Sequence, residues 1–260
     1  MSFRFAFQKY IDDPGKYTEV VEYDDDVVIL KDLFPKALRH YLIIPRDKVV
    51  TNQHPLAVFH RNYDKYSATE LYALLTKYVD RTKQLILEDL QSVLPKCEEN
   101  TLKLKSLGLF VRAGFHAVPS LKNLHLHVIT NDFYSPKLKH KKHYNSFNTA
   151  FFVDFYIMDP AMRSPSAQEE DSQLTQYSDD ESLDISSSNE DNTSGASTDC
   201  QKTATDYENI IKTTPLRCSY CGKDFGSKFQ KLKLHLEHEF RSKFSQFKDV
   251  DFTKLVPNNK

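Results

Sequence analysis

The first regular pattern along the chain is a pair of short apolar runs, at residues 27–30 and 41–44, each bounded by Asp, Pro or charged residues. Apolar runs of this length between turn-forming residues are typical of buried strands. The segment that joins them, residues 32–36, contains a proline and two charged side chains, and predicts a turn. The pattern therefore indicates two neighbouring strands.

The next segment has the spacing of an amphipathic helix. Its apolar side chains recur every three to four residues, at Leu71, Leu74, Leu75, Tyr78 and Val79. This spacing places them on one helix face. Ser67, followed by Glu70, has the capping-box pattern that begins a helix. The sequence thus predicts a helix from Ser67 to about residue 90.

Two more strands are predicted after this helix, over residues 108–113 and 123–130. Strands, a long helix and strands again indicate a mixed sheet with helices packed on it, an α+β fold. We assign residues 1–160 to this domain. The longest apolar run has about eight residues, against about 20 for a membrane span, so no membrane association is expected.

Composition then separates two further zones. Residues 161–210 are acidic, rich in serine and poor in large apolar side chains, which predicts a disordered linker. Without residues 164–210, which hold 12 acidic residues and one lysine, a chain of net charge −1 would carry about +10. That excess suggests an anionic partner. Residues 211–260 form a short basic zone that would need an additional stabilising element, such as a bound metal ion, to fold.

The predicted strand at 123–130 has polar chemistry on one face. Side chains alternate along a strand, so Asn123, His125 and His127 share a face, and the apolar residues between them form the buried one. Alternating histidines fit three interpretations: metal ligation, nucleophilic attack on phosphorus, or a polar face without chemistry. Spacing does not separate them. The polar loop predicted at 114–120, with its glycine, proline and serine, suits phosphate better than zinc.

The basic C-terminal zone contains a zinc pattern. Cys218 and Cys221 form a C-x-x-C pair, and His235 follows on a predicted helix. These supply three of the four ligands of one structural zinc ion. The fourth is His238 or Glu239, and finger spacing favours Glu239. Lysines such as Lys231 and Lys233, interleaved with phenylalanines, suggest contacts with DNA phosphates and bases.

The histidine run, with its preceding loop and residues 135–147, resembles the aprataxin family of histidine-triad (HIT) proteins. Residues 27–37 and His40 resemble the family as well, and the similarity covers about residues 20–155 and the C-terminal zone. It implies a HIT-like domain, an antiparallel sheet with packed helices, followed by a small zinc-finger module. It also implies that His125, the middle position of the triad, is the nucleophile. Asn123 stands where the family usually has the first histidine; asparagine cannot take up a proton, but this position is usually a structural hydrogen-bonding one, which asparagine can serve.

The resemblance also implies roles for other residues. His127 would bind phosphate and poise the nucleophile, and His116 would be the general acid. The remaining implied substrate-binding residues are Asn123, Ser120, Lys142, Asp32, Leu30, Lys36 and His40. Phe3 would stack on a terminal base, and Lys141 would contact DNA. In fungal members the last zinc ligand is also a glutamate.

We therefore expect a DNA-repair hydrolase that removes AMP from adenylated DNA 5′ ends through an adenylyl-histidine, with 3′-guanylated DNA as a second substrate of the same chemistry. One alternative is a HIT hydrolase of free nucleotides, such as dinucleoside polyphosphates or phosphoramidates. Another is a non-catalytic zinc-finger protein that binds DNA ends. We expect a monomer on adenylated nicked or broken DNA, with AMP as product, in the nucleus and also in the cytoplasm.

Overall fold

The computed structural model describes residues 3–107, 110–162 and 202–256. Six strands form one sheet in the order β1-β2-β3-β5-β4-β6, and every neighbouring pair is antiparallel. The strands are β1 (Val20–Tyr23), β2 (Val27–Lys31), β3 (His40–Pro45), β4 (Val111–His116), β5 (Leu126–Thr130) and β6 (Phe152–Asp154). The α+β class and the antiparallel sheet with packed helices that the resemblance implies are confirmed, whereas the mixed sheet indicated by the strand pattern is wrong.

Helices lie on both faces of this sheet. They are α1 (Gln8–Asp12), α2 (Ala68–Val93), α3 (Glu98–Leu107) and α4 (Lys141–Asn148). Single turns of 3-10 helix occur at Phe3–Phe5, Pro14–Lys16, Val50–Asn52, Pro55–Ala57, Phe155–Met158 and Pro160–Met162. None of the helices in the described ranges is both long and apolar enough to cross a bilayer.

The predicted helix begins where its capping box indicated. The Ser67 side chain accepts a hydrogen bond from Glu70 N–H, and the Glu70 carboxylate accepts one from Ser67 N–H. The helix ends at Val93, slightly beyond the predicted residue 90. Leu94 is already extended, as expected for a residue that precedes a proline.

Two strand boundaries differ from the prediction. The third predicted strand, 108–113, begins at Val111 and continues to His116, and residues 108–109 lie outside the described residues. The fourth, predicted from residue 123, begins only at Leu126. The N–H of Leu124 donates instead to the Thr51 carbonyl at 2.6 Å, so this segment leaves the sheet ladder. His125 consequently lies just before β5.

The two faces of the sheet are closed by different parts of the chain. One face packs on α2 through a large apolar cluster that includes Ile29, Ile43 and Val128. On the other face, α1 covers one end with Tyr10 and Ile11. The opposite end of that face is covered by α4, β6 and the C-terminal module. The histidines lie between these two covers.

The C-terminal module consists of β7 (Leu216–Arg217), β8 (Asp224–Gly226), α6 (Phe229–Phe244) and the short α7 (Phe252–Leu255). Its helix packs firmly on the sheet domain: Tyr134 and Phe240 stack with ring centroids 4.3 Å apart. Buried Arg39 donates to the Leu255 carbonyl at 2.8 Å, and Asn100 donates to and accepts from the main chain of Lys248. The finger is therefore part of one packed body.

One predicted boundary is wrong in its last residues. We assigned 161–210 to a disordered linker, but residues 204–213 form helix α5 (Ala204–Thr213), capped by Thr203 and Asp206. Asn145 of α4 donates to the carbonyls of Ile211 and Thr214, which holds this helix on the domain. Ile211, one residue beyond the predicted linker, is the buried side chain of this helix. Residues 163–201 lie outside the described residues.

Candidate active site and zinc centre

The register of the sheet brings the predicted histidines together. Leu42 of β3 lies opposite His127, and His127 lies opposite Gly114 of β4. Because cross-strand partners point to the same face, His40, two residues before Leu42, and His116, two residues after Gly114, share the face of His127. The ring centroids of His40 and His116 lie 5.1 and 4.4 Å from that of His127.

The orientation of His125 is set by a main-chain carbonyl. Its Nδ1 lies 2.7 Å from the Asn123 carbonyl oxygen. A carbonyl oxygen only accepts, so Nδ1 carries the hydrogen and Nε2 keeps its lone pair. The ring centroid of His125 lies 5.0 Å from that of His127. His125 thus has the tautomer that a nucleophile acting through Nε2 requires.

His127 is held by a chain of polar contacts. Its Nδ1 lies 2.9 Å from His40 Nε2, and His40 Nδ1 lies 3.3 Å from an Asp32 carboxylate oxygen. The N–H of Lys36 also approaches His40 Nδ1, at 3.4 Å. A carboxylate is the stronger partner, so we assign the hydrogen on Nδ1 to the Asp32 contact. His40, which the sequence placed near the site, therefore joins Asp32 to His127.

Three buried polar atoms around this cluster have no hydrogen-bond partner in the described protein: His116 Nε2, His127 Nε2 and Asn123 Oδ1. Buried polar atoms are almost always paired, by protein, water or ligand. Phe147 forms an apolar wall beside them, with its ring 4.7 to 5.4 Å from those of His116, His127 and His40. The unpaired atoms indicate where a polar ligand would bind.

Burial keeps all four histidines neutral at pH 7. It lowers the pKa of His40 from 6.5 to about 4, against the opposing effect of Asp32. Burial also lowers the pKa of His116 and His127 well below the ordinary range, and neighbouring histidines and Lys36 add to the effect. Burial lowers the pKa of His125 as well, partly offset by the Asn123 carbonyl. A neutral His125 is the form that can attack phosphorus.

The expected exposed face is in fact covered. His125 is only 6% exposed and Asn123 is fully buried, although the sequence predicted core only on the reverse side. The Phe7 ring packs against the His125 ring at 5.0 Å, and Gln8 accepts a hydrogen bond from Asn123. The cover comes from the N-terminal segment, which lies more than a hundred residues away in sequence and carries no local signal of this contact.

The predicted loop at 114–120 also needs a correction. Gly114 and His116 lie within β4, so the tight turn begins only after them. A side chain at Gly114 would meet the Val153 carbonyl at 2.4 Å and the Phe152 ring at 2.7 Å. Glycine here allows β6 to approach β4, and no ligand contact is needed to explain it.

The other implied substrate residues surround the cluster at different depths. Leu30 is buried beneath α1, in the same row of the sheet as His127. Lys36 is half-buried, and burial lowers its pKa despite the nearby Asp32. Ser120 and Lys142 are exposed. The structure therefore joins Leu30 and Lys36 to the site, while Ser120 and Lys142 lie at the surface.

The residues implied in DNA binding are mostly at the surface. Phe3 is 78% exposed, which suits a side chain that stacks on a base. Lys231 is exposed and Lys233 half-buried, both on α6. Lys141 differs, because its ammonium group donates to the Thr213 carbonyl at the end of α5. Lys141 thus already has a partner within the protein.

The zinc ligands predicted from sequence converge in the finger. One ligand atom from each of Cys218, Cys221, His235 and Glu239 lies within 4.8 Å of the others. Cys221 Sγ is 3.1 Å from His235 Nε2, and His235 Nε2 is 3.2 Å from a Glu239 oxygen. Two thiolates, an imidazole and a carboxylate form a suitable donor set for tetrahedral zinc. His238, the competing candidate, is exposed and outside this group.

Asp32, His40 and His127 form a second group whose ligand atoms lie within 4.8 Å of one another. A metal site was one of the three interpretations of the alternating histidines. Here, however, the two imidazoles are hydrogen-bonded to each other and His40 contacts Asp32. The potential ligand atoms are therefore committed to mutual contacts, and the arrangement favours an oriented imidazole over a metal centre.

Sequence reasoning missed the residues that come to the site from elsewhere. Phe7 and Gln8 contact His125 and Asn123, and neither was predicted. Phe147 was part of a recognised segment but had no role assigned. The apolar side chains of Tyr10 and Ile11, which anchor α1, were the only available sign that the N-terminal segment packs on the domain.

Comparison with known families gives two matches along the chain. The family described as scavenger mRNA decapping enzyme C-term binding matches residues 4–143. The family described as a C2HE / C2H2 / C2HC zinc-binding finger matches residues 148–242. The second match contains all four residues of the zinc group.

Curated proteins and solved structures are similar to nearly the whole chain. The aprataxin-like protein of Saccharomyces cerevisiae is 33% identical over 252 residues, covering 94% of this chain and 99% of the relative. The aprataxin-like protein of Schizosaccharomyces pombe is 32% identical, over 92% of this chain and 82% of the relative. A crystal structure of the aprataxin ortholog Hnt3 in complex with DNA is 30% identical, with a TM-score of 0.67 over 95% of this chain and 98% of that chain. A structure of Hnt3 in complex with DNA and guanosine is 29% identical with the same TM-score, over 95% of this chain and 100% of that chain.

Proposed function

Because the chain belongs to the aprataxin-like proteins, which combine a HIT-like hydrolase domain with a C2HE zinc finger, we propose that it is a DNA-repair hydrolase that removes AMP from adenylated DNA 5′ ends. The observation that carries the proposal is the geometry of His125. Its Nδ1 is committed to the Asn123 carbonyl, which leaves Nε2 free to attack. The related Hnt3 structures contain DNA, and one of them also contains guanosine.

The proposed reaction has two displacements at phosphorus. His125 Nε2 attacks the phosphorus of AMP, and the bond from that phosphorus to the oxygen of the DNA 5′-phosphate breaks. An adenylyl-histidine forms and the DNA 5′-phosphate leaves. Water then attacks the same phosphorus, the N–P bond breaks, and AMP and neutral His125 are regenerated with release of a proton. A covalent intermediate divides one difficult step into two easier ones.

The surrounding residues would control orientation and charge. The contact of His40 with Asp32 holds His127 beside the phosphate position. The unpaired Nε2 atoms of His116 and His127 border the proposed phosphate position. Because His127 Nδ1–H donates to His40 Nε2, His127 Nε2 carries a lone pair and would meet a phosphate oxygen only after it is protonated. Burial keeps the pKa of His116 well below its ordinary range, so a general-acid role requires protonation when the anionic substrate binds. Negative charge nearby favours that protonation.

The finger and the basic surface would supply the grip on DNA. A bound zinc ion would supply structural stability through Cys218, Cys221, His235 and Glu239. The finger packs on the sheet domain, which favours a joint clamp on a DNA end over sequence readout by a free module. We propose that the protein acts as a monomer in the nucleus, that Phe3 stacks on a terminal base, and that 3′-guanylated DNA is a second substrate.

A turnover assay tests the function directly. The protein is incubated with 5′-adenylated nicked DNA and, separately, with a free dinucleoside polyphosphate, and released AMP is measured. We expect release from the DNA and its loss in His125→Ala. The matched control His54→Asn changes an exposed histidine outside the cluster and should keep wild-type activity. Release of AMP only from the free dinucleotide would overturn the proposal in favour of nucleotide hydrolysis. Tight DNA binding without any AMP release would instead indicate a non-catalytic protein that binds DNA ends.

A further inference from the structure

Asn123 contacts two different elements through two different groups. Its side-chain Nδ2 donates to Gln8 Oε1 at 3.2 Å, while its main-chain carbonyl accepts from His125 Nδ1 at 2.7 Å. The residue is fully buried, so water does not compete for these contacts. A rotation of the Asn123 side chain or peptide would therefore alter the support of His125.

The sheet itself does not hold this segment. The ladder between β3 and β5 begins with the pair Ile43 and Leu126, beyond His125. The preceding N–H, that of Leu124, donates to the Thr51 carbonyl outside the ladder. Since ladder pairing normally fixes peptide orientation in a strand, the Asn123 carbonyl depends on other contacts. The contact with Gln8 is the one made by the Asn123 side chain.

Gln8 is itself held in place. Its Nε2 donates to an Asp12 oxygen at 2.9 Å within α1, which turns Oε1 toward Asn123. Helix α1 is anchored by buried Tyr10 and Ile11. Phe7, at the start of the same helix, packs its ring on His125. The N-terminal helix is thus a fixed support beside the nucleophile.

We propose that Gln8 is a positioning residue for His125, acting through Asn123. The inference rests on the proposed nucleophilic role of His125. It also explains how asparagine serves at the first position of the triad. That position needs only a donor that reaches α1 and a carbonyl that receives the His125 Nδ1–H, and an amide residue provides both without titrating.

The first test removes the contact from the helix side. Gln8→Leu deletes both hydrogen bonds of the side chain at a half-buried position, so the protein should still fold. We expect kcat for AMP release to fall about tenfold with KM within about twofold, as for loss of one buried hydrogen bond. The matched control Lys9→Leu changes the exposed neighbour on α1 and should keep wild-type kcat. A wild-type kcat in Gln8→Leu would overturn the inference.

A double-mutant cycle and a rescue test the route through Asn123. Asn123→Ala should lower kcat by a similar factor, and adding Gln8→Leu should lower it little further. Losses that multiply would show that the two residues act separately and would overturn the inference. Gln8→Glu combined with Asp12→Asn keeps both contacts: donor and acceptor are exchanged between positions 8 and 12, while position 8 still accepts from Asn123 Nδ2. This double variant should therefore keep kcat within about threefold of wild type. A low kcat in this double variant, when the protein is folded, would also count against the inference.

A spectroscopic readout separates this inference from the proposed function. Nitrogen-15 NMR of the full-length protein reports which ring nitrogen of His125 carries the hydrogen. We expect the Nδ1–H form in the wild type and a mixture of tautomers in Gln8→Leu, but not in Lys9→Leu. If the wild type releases no AMP from any DNA, the proposed function fails while the tautomer change still tests Gln8. An unchanged His125 signal in Gln8→Leu would reject the positioning role.

Discussion

Within the described part of the chain, two clusters of histidine and acidic side chains differ in burial and in their contacts. In the sheet, Asp32, His40 and His127 contact one another, and both histidines are almost fully buried. In the finger, His235 and Glu239 lie beside two cysteines and are partly exposed. Thiolates favour zinc, whereas imidazoles joined by hydrogen bonds favour an oriented, neutral site. Whether a histidine binds a metal or acts as an oriented neutral imidazole therefore depends on the residues that it contacts.

The largest expected effect comes from removing a zinc ligand. Cys218→Ser should abolish stoichiometric zinc binding and unfold the finger, because structural zinc contributes about 10 kcal/mol or more to such modules. The zinc content per protein molecule is measured by mass spectrometry and, independently, with a chelator that fluoresces when it binds released zinc. Glu239→Ala should also weaken zinc binding, while His238→Ala should retain it. If His238→Ala lost zinc and Glu239→Ala kept it, the assigned ligand set would be wrong.

A change in the buried cluster should affect activity and leave zinc unchanged. We expect His127→Gln to lower AMP release from adenylated DNA by about a thousandfold, since it removes an imidazole beside the proposed phosphate position. Zinc content should remain that of the wild type. Loss of zinc in this variant would break the distinction between the two clusters, as would activity within tenfold of wild type.

The neutral histidines should make stability depend on pH. At pH 7 His40 is neutral in the folded and the unfolded chain. Below its ordinary pKa of 6.5 the unfolded chain binds the proton first, whereas the folded protein binds it only near 4. The free energy of unfolding should therefore fall as the pH is lowered from 6.5 to 4, by about 3 kcal/mol from His40 alone.

Denaturant unfolding of the wild type and of His40→Asn across this pH range measures the effect. Zinc release at low pH is common to both proteins, so the difference between their slopes isolates His40. Parallel slopes would show that burial does not depress the pKa of His40 as described.

The smallest expected effect concerns the DNA grip. Phe3→Ala should weaken binding to a nicked DNA end by about tenfold, because stacking of one base on an aromatic ring contributes about 1–3 kcal/mol. Fluorescence anisotropy with labelled DNA measures it. Tyr23→Ala, at another exposed aromatic residue, is the control. Equal effects of the two substitutions would argue against a specific role of Phe3.

Local patterns predicted what depends on neighbours in sequence. The capping box of Ser67 located the start of α2. Alternation predicted that His125 and His127 are neighbours, and their ring centroids lie 5.0 Å apart although His125 precedes β5. The same signal was present at Thr203 and Asp206, where a capping box begins α5, but the acidic composition around it obscured the helix. The ligand spacing of the finger favoured Glu239 over His238, in agreement with the grouped ligand atoms.

What could not be predicted depends on contacts between distant segments. Nothing near His125 indicates that Phe7 covers it, and nothing near Asp32 indicates that it reaches His127 through His40. The order of the strands decides these contacts, with β3 directly beside β5. Burial of the histidines, and hence their neutrality, follows from that order and from the N-terminal cover.

The contact of Arg39 with Leu255 has a consequence for the newly made protein. These residues are 216 positions apart, and the buried guanidinium of Arg39 donates to the Leu255 carbonyl. Synthesis proceeds from the N-terminus. During translation Arg39 therefore lacks this hydrogen-bond partner until nearly all of the described residues have emerged from the ribosome. The sheet domain thus emerges from the ribosome before the finger does, and the surface that the finger later covers is exposed until then.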